Sequence, residues 1–226
     1  MKIEDALNSL REGRFLLLHD GNSRENEVDM IISAEHIKPN HISIMRKDAG
    51  GLICLAIDNN IASSLGLRYM HEILREEYKE LVYNKTPYGE EPSFSITINH
   101  KDTYTGVTDN DRALTIRSMS NICRLAKDGY NARDKFFNEF KAPGHVHLLI
   151  ARKGLLNERN GHTELSIALA KMAGITPAVA MCEMLDDQTH EALSIEKARE
   201  YGAKHNIMLI SADEVREYLR LNIYER

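Results

Sequence analysis

The chain has 226 residues, 42% hydrophobic and 28% charged, which suits one large folded domain and excludes disordered and membrane-embedded classes. A net charge of -5, no tryptophan and an aromatic content of 6% argue against the basic stripe and stacking platforms that nucleic acid needs. Cys54, Cys123 and Cys182 are too few and too far apart for a disulfide framework or a zinc ribbon. No apolar run reaches the roughly 20 residues of a membrane span, and the acidic MKIEDALNSLREGR has no leader-like apolar core. A cytoplasmic protein with reduced thiols, no membrane and no nucleic-acid partner is expected.

Ile3, Ala6, Leu7 and Leu10 recur at helical spacing and Gly13 supplies a stop, predicting a first helix. FLLLHD (15–20) and VDMIISAE (28–35) are apolar runs of strand length, separated by the acidic GNSRENE. Pro39 to Lys47 reads as a short helix closed by AGG, and LICLAI (52–57) as a strand. A helix signal follows around Ile61 to Leu65, and the charged LREEYKELVY (74–83) reads as helical or mobile. SFSITIN (93–99) alternates as a strand does, and TGVTDNDR supplies a turn and an N-cap for a helix running to about Lys127.

PGHVHLLIA (143–151) follows a charged helical segment and reads as a turn entering a strand. GHTELSIALAKMAG (161–174) is the clearest helix, with Thr163 as N-cap, Leu165, Ala168, Leu169 and Met172 as its apolar stripe, and Gly174 as stop. PAVAMCEML (177–185) is a strand broken only by Glu183. Ser194 then caps a helix through His205, NIMLIS is a last strand and DEVREYLR a last helix. No repeat or linker divides the chain. The expected fold class is therefore α+β (mixed α/β): a single domain over 1–226, built as a three-layer α/β/α sandwich around a mixed twisted sheet.

Four stretches carry candidate chemistry. In RENEVDM, an extended backbone projects Glu25, Glu27 and Asp29 to one face, where hard divalent cations find oxygen ligands; a hydrated hairpin rim is the competing reading. In RNGHTE, Gly161 and Thr163 open a helix whose free N–H groups attract anions, Arg159 offers a bidentate donor, and His162 suits a metal ligand or an acid/base. An ordinary capping box with a surface histidine is equally compatible. In PGH, Pro143 and Gly144 fix the backbone before His145, a weak signal alone.

Glu183 on an apolar strand must be paired, metal-bound or raised in pKa, which suits a general base, unless it reaches solvent at the strand end. Cys54 reads more readily as a small buried hydrophobe than as a pocket residue. Thr105 and Thr108 read as turn and cap residues, and Asp109 and Asp111 as first-turn acids. A cation on a carboxylate and a histidine, an arginine-plus-helix phosphate cradle and a buried acid together suit a phosphorylated sugar handled through an enediolate. Isomerases, aldolases and rearranging lyases all share that requirement.

RENEVDM, MRKDAGGLIC, TGVTDNDRA, PGHV, RNGHTELSIALA and MCEM occur in this order, and the chain resembles the 3,4-dihydroxy-2-butanone 4-phosphate synthases of riboflavin biosynthesis over roughly residues 1 to 215. The resemblance implies a lyase that converts D-ribulose 5-phosphate to the four-carbon phosphate and formate. It also implies Mg²⁺ or Mn²⁺, two ions per site, and a homodimer with active sites at the interface. By position, Glu25 and His162 would hold metal. Arg24, Glu25, Asp29, Cys54, Arg159, Asn160, Gly161, His162, Thr163 and Glu183 would contact substrate, and His145, Glu183 and Asp29 would be catalytic. Val28 stands where many members have glycine; valine favours extended backbone, which makes the acidic loop less free to close. Some members continue into a GTP cyclohydrolase II domain with a cysteine cluster, and none is expected here. The rival readings are a metal-dependent sugar-phosphate isomerase or aldolase, and an inactive phosphometabolite-binding homologue; the four residue types at Glu25, His145, His162 and Glu183 count against the latter.

Overall fold

The computed structural model describes residues 2–82 and 86–224. Along the chain run α1 (Lys2–Arg11), β1 (Leu16–His19), β2 (Val28–Ser33), α2 (Pro39–Ile44), β3 (Cys54–Ile57), α3 (Asn59–Leu65), α4 (Met70–Glu77) and β4 (Phe94–His100). There follow α5 (Asp109–Lys127), α6 (Arg133–Glu139), β5 (Phe140–Ile150), α7 (His162–Met172), β6 (Ala178–Glu183), α8 (Ile195–His205), β7 (Met208–Ser211) and α9 (Ala212–Tyr224). The strands form one mixed sheet in the order β4-β5-β3-β6-β2-β1-β7.

The central strands are apolar without polar alternation because both of their faces are covered. Leu17, Met30, Leu55 and Ala180 point into a core shared with α2, α3, α5, α6 and α8. Their neighbours Leu16, Ile31, Ala56 and Met181 point into a second core shared with α1, α7 and α9. The molecule is thus an α+β three-layer sandwich, as its patterning leads one to expect. β2 pairs with β6 so that Asp29 lies opposite Glu183, and α7 packs on β2, β3 and β6. By strand alternation Asp29 and Glu183 face the α7 layer.

Helix ends follow the sequence in several places. The Thr108 hydroxyl accepts the Asp111 N–H at 3.2 Å and Ser194 accepts the Lys197 N–H at 3.3 Å. Asp58, not singled out from sequence, caps α3 by accepting the Asn60 N–H at 2.9 Å. Three expectations need correction. Thr163 is not an N-cap: α7 already begins at His162 and Gly161 takes the cap position, with φ -88° and ψ 169°. RENEVDM is not one strand: 22–25 form a turn, Asn26 is left-handed at φ 56°, and β2 starts only at Val28. PGH is not a turn before a strand: β5 runs through it from Phe140, because side chains replace the missing ladder bonds. The Gly144 N–H donates to Thr97 Oγ1 at 3.0 Å and the His145 N–H to Asn99 Oδ1 at 2.8 Å, beside a register shift in the β4–β5 pair. LREEYKELVY is helical to Glu77 and a 3-10 turn at Lys79–Leu81; its last residue, Tyr83, lies outside the described residues.

Gly144 is required by this crossing, since a Cβ there would overlap the Ile98 carbonyl, which is backbone and cannot swing away. Gly144→Ala is therefore expected to lower stability by about 1–3 kcal/mol, read as a drop in melting temperature. An unchanged melting curve would mean that β4 and β5 can separate there without cost.

Candidate active site

The acidic turn is built around Asp20, which leaves β1 with its side chain fully buried. Its Oδ2 accepts the Glu25 N–H at 3.1 Å and its Oδ1 the Glu27 N–H at 3.2 Å, while Arg24 Nη1 donates to Oδ2 at 2.8 Å. Val28 drops into the core on one side of β2, which turns Asp29 toward α7 on the other. Sequence reading did not single out Asp20; an acid at the exit of an apolar strand, facing the RENE loop, was the available signal.

His162, the first residue of α7, is buried beside these acids. Its Nε2 lies 3.2 Å from the Glu27 carbonyl, to which it donates. That leaves Nδ1 facing Glu25 Oε2 at 3.5 Å, with Nε2 also 3.7 Å from Asp29 Oδ1. Burial disfavours the imidazolium, but Asp29, Glu25 and Asp20 together outweigh burial and push His162 up to about 9. Burial also works against ionised Glu25, yet His162, Arg24 and Tyr88 hold it down at about 2. Asp29 goes the other way: burial, with the neighbouring Glu183, Glu25 and Glu27 charges, pushes it up to about 7 against the pull of His162.

Ligand atoms of Asp20, Glu25 and His162 all lie within 4.8 Å of one another. Two carboxylates and an imidazole suit a divalent cation. Asp29 Oδ1, buried and without a hydrogen-bond partner among the described residues, adds a nearby oxygen whose need a cation or a ligand hydroxyl would meet. The residues present therefore fit a metal, with Asp20 added to the expected pair Glu25 and His162.

Two arginines adjoin these acids, Arg24 pairing with Asp20 at 2.8 Å and with Glu25 at 2.7 Å. The side chains of Arg159 and Arg24 are both largely covered and meet at the amino end of α7. A Cβ on Gly161 would overlap the Arg159 guanidinium and stand 2.8 Å from Arg24 Nη2, so only glycine lets both cations reach the helix end. Arg159 Nη1 donates to the fully buried Glu164 at 2.7 Å, and Glu164 also accepts the Arg152 N–H at 3.0 Å. Asn160 is half-buried in the approach to the helix, and Thr163 is buried and lines the cavity. Two guanidinium groups at a helix N-terminus make an anion subsite.

Glu183 closes β6. Its Oε2 accepts the Leu52 N–H at 2.7 Å and its carbonyl accepts the Gly51 N–H at 3.0 Å. Gly51 has no room for a Cβ, which would lie 2.6 Å from both Glu183 oxygens. The cavity, about 320 Å³, is lined by Arg24, Glu25, Asp29, Arg159, His162, Thr163 and Glu183 together with Tyr88, Ser93 and Met181. Cys54 is buried between Met181 and His147 in the sheet register and is not among the lining residues, and burial raises its thiol.

His145 is exposed and likewise lies outside this cavity, its Nδ1 accepting from Asn99 Nδ2 at 3.1 Å.

An acid-and-imidazole cation set, a pair of carboxylates on adjacent strands and a two-arginine anion subsite in one cavity define a site for a small, oxygen-rich, anionic molecule. The chain belongs to the 3,4-dihydroxy-2-butanone 4-phosphate synthase family, whose model matches residues 4–218. It is 45% identical to the 3,4-dihydroxy-2-butanone 4-phosphate synthase of Methanothermobacter thermautotrophicus, over 95% of this chain and 94% of that one. It is 33% identical to a riboflavin biosynthesis protein of Staphylococcus aureus, covering 96% of this chain but 49% of that longer one. Among solved structures, the synthase of Candida albicans superposes with a TM-score of 0.76 at 30% identity, covering 96% of each chain. A crystal structure of a synthase in complex with two magnesium ions superposes with a TM-score of 0.78 at 25% identity, covering 96% of this chain and 95% of that one.

Proposed function

We propose that the chain, as one synthase unit, converts D-ribulose 5-phosphate to L-3,4-dihydroxy-2-butanone 4-phosphate and formate in riboflavin biosynthesis in the cytoplasm. The observation that carries this reading is the meeting of Asp29 and Glu183 on paired strands, in the cavity that Glu25, His162, Arg24 and Arg159 also line, with Asp20 beside Glu25 and His162. The two products together contain the atoms of the substrate, so the reaction needs no oxidant and no second substrate, only proton movements and a carbon shift. Carboxylates on adjacent strands suit that task, because Asp29, pushed up to about 7, gains and loses a proton near neutral pH. Arg24, Arg159 and the α7 amino end hold the phosphate and so fix which carbon lies against Glu183 and Asp29. Mg²⁺ or Mn²⁺, two ions per site, would be held by Glu25 and His162 with Asp20, and would supply a Lewis acid that eases charge on the sugar oxygens. With substrate labelled at C4, labelled formate is the expected product; labelled pentose phosphate alone would favour the isomerase reading.

His162 holds a proton well above neutral pH, and a cation must displace it. Apparent Mg²⁺ affinity is therefore expected to rise with pH from neutrality and level off above about 9, with proton release on binding below that point. A flat profile measured by calorimetry in two buffers would remove His162 from the cation set.

The proposal includes a homodimer whose sites draw on both protomers. Exposed His145 supports it, as do the exposed Leu52, Tyr104, Val107 and Leu185. If His145 serves the partner's cavity, equal mixing of Glu183→Ala and His145→Ala chains restores about a quarter of the sites, since half of randomly formed pairs carry one intact pairing. No restoration would confine each site to one chain.

A further inference from the structure

We propose that Glu90 is an internal anion occupying the phosphate subsite between Arg24 and Arg159, so that a phosphorylated ligand binds by displacing it. The inference rests on the phosphosugar reading of this cavity and adds to it a residue that decides which ligands enter.

One oxygen of Glu90 serves both cations. Its Oε2 accepts from Arg24 Nε at 3.0 Å and Nη2 at 2.9 Å, and lies 3.1 Å from Arg159 Nε. This is the point at the amino end of α7 where the two guanidinium groups crowd Gly161. A carboxylate there makes the contacts that two phosphate oxygens make in an arginine-lined subsite.

The other acids also bind these arginines, Asp20 and Glu25 to Arg24 and Glu164 to Arg159, but each holds a further group as well. Asp20 and Glu164 have fully buried side chains and hold the backbone N–H groups of Glu25, Glu27 and Arg152. Glu25 faces His162 in the cation set. Glu90 is 23% exposed, and among the described residues its carboxylate is bound to Arg24 and Arg159. Two arginines thus face four carboxylates. A phosphate dianion cannot join them without one carboxylate leaving, and Glu90 is the one free to do so.

Its carrier segment is a turn closed on itself. The Thr86 N–H donates to the Glu90 carbonyl at 2.7 Å, the Gly89 N–H to the Thr86 carbonyl at 2.8 Å, and the Glu90 N–H to Thr86 Oγ1 at 3.2 Å. The turn therefore keeps its own hydrogen bonds when Glu90 releases. Tyr88 lies over the Arg24 guanidinium, 4.6 Å from the ring centre, and its hydroxyl bonds Glu25, so the turn keeps a hold on the acidic loop when the Glu90 carboxylate releases. A neutral sugar offers nothing to exchange for the Glu90 carboxylate, so the same contact rejects unphosphorylated ligands.

The test is calorimetric titration of inorganic phosphate, at constant ionic strength and without substrate, into the wild type, Glu90→Gln and Glu91→Gln. Glu91 is the control because it pairs with Arg75 and Arg152 and not with the subsite arginines. Removing the competing charge is expected to tighten phosphate about tenfold in Glu90→Gln, with Glu91→Gln unchanged. Unchanged or weaker binding in Glu90→Gln overturns the proposal, as does equal tightening in both variants, which would reflect net charge alone. Wild-type formate release separates the two levels. Its absence with the expected titrations sinks the lyase reading and leaves the displaced carboxylate, whereas formate release with unaltered phosphate affinity in Glu90→Gln sinks the displacement alone.

Discussion

Glu183→Gln is expected to bind the sugar phosphate with near wild-type affinity and to lose turnover by roughly a hundredfold or more. The amide keeps the volume of the carboxyl group and an oxygen to accept the Leu52 N–H, so the end of β6 and the adjoining Gly51 are preserved. Phosphate contacts are untouched, because Arg24 and Arg159 pair with Asp20, Glu25, Glu90 and Glu164 and not with Glu183. What disappears is the capacity to accept a proton at a position paired across the sheet with Asp29. The signature is therefore a fall in kcat with little change in substrate affinity, the pattern of a group that acts only as the transition state forms. A kcat within a few-fold of wild type would leave Asp29 as the working base and reduce Glu183 to a structural contact for Leu52.

His162→Ala and Glu25→Ala are expected to lose cation-supported turnover by roughly a hundredfold or more, since even the outer partners of a metal site cost about 10–100-fold when removed. His162 is the central group: its ring stands between Glu25 on one side and Asp29 and the Glu27 carbonyl on the other. Without it, Asp20, Glu25 and Asp29 lose the imidazolium that balances them in the metal-free state. Glu25→Ala removes one carboxylate from the cation set and one partner of Arg24. Thermal melting separates ligand loss from misfolding. Saturating Mg²⁺ raises the melting temperature of the wild type, by the equivalent of about 2.7 kcal/mol at a hundredfold excess over Kd, and the shift disappears in both variants. A full Mg²⁺ shift in His162→Ala would move the cation to other oxygens.

Much of this architecture was legible in the sequence for physical reasons. Strands buried on both faces leave uninterrupted apolar runs, and the stop of α7 at Gly174 and the cap of α8 at Ser194 are announced by their residues. The six ordered motifs delivered the cavity residues from RENEVDM, RNGHTE and MCEM. Other parts were hidden because they depend on contacts between distant segments. The strand order places β6 between β3 and β2, a pairing that no local pattern encodes, and it is this pairing that brings Glu183 to Asp29. Glu90 lies in a stretch without periodicity, 66 positions from Arg24, and only the folded chain shows its hydrogen bond to Arg24 and its ion pair with Arg159.

The errors have local causes. Thr163 has the chemistry of a cap, but Gly161 takes that position because two guanidinium groups leave no space for a Cβ there. Pro143 suggested a turn, yet Thr97 and Asn99 side chains bind the N–H groups of Gly144 and His145 and let β5 continue. The acids of RENEVDM do converge, but through a turn organised by Asp20 rather than along one strand face.

The most direct measurement is formate released from D-ribulose 5-phosphate by the purified protein, with Mg²⁺ and again with excess chelator. One formate per substrate consumed, abolished by chelator and restored by added Mg²⁺, is the expected result. Substrate that is bound or isomerised without formate, or formate released undiminished in chelator, would contradict a cation-dependent lyase built from Asp20, Glu25, Asp29, His162 and Glu183.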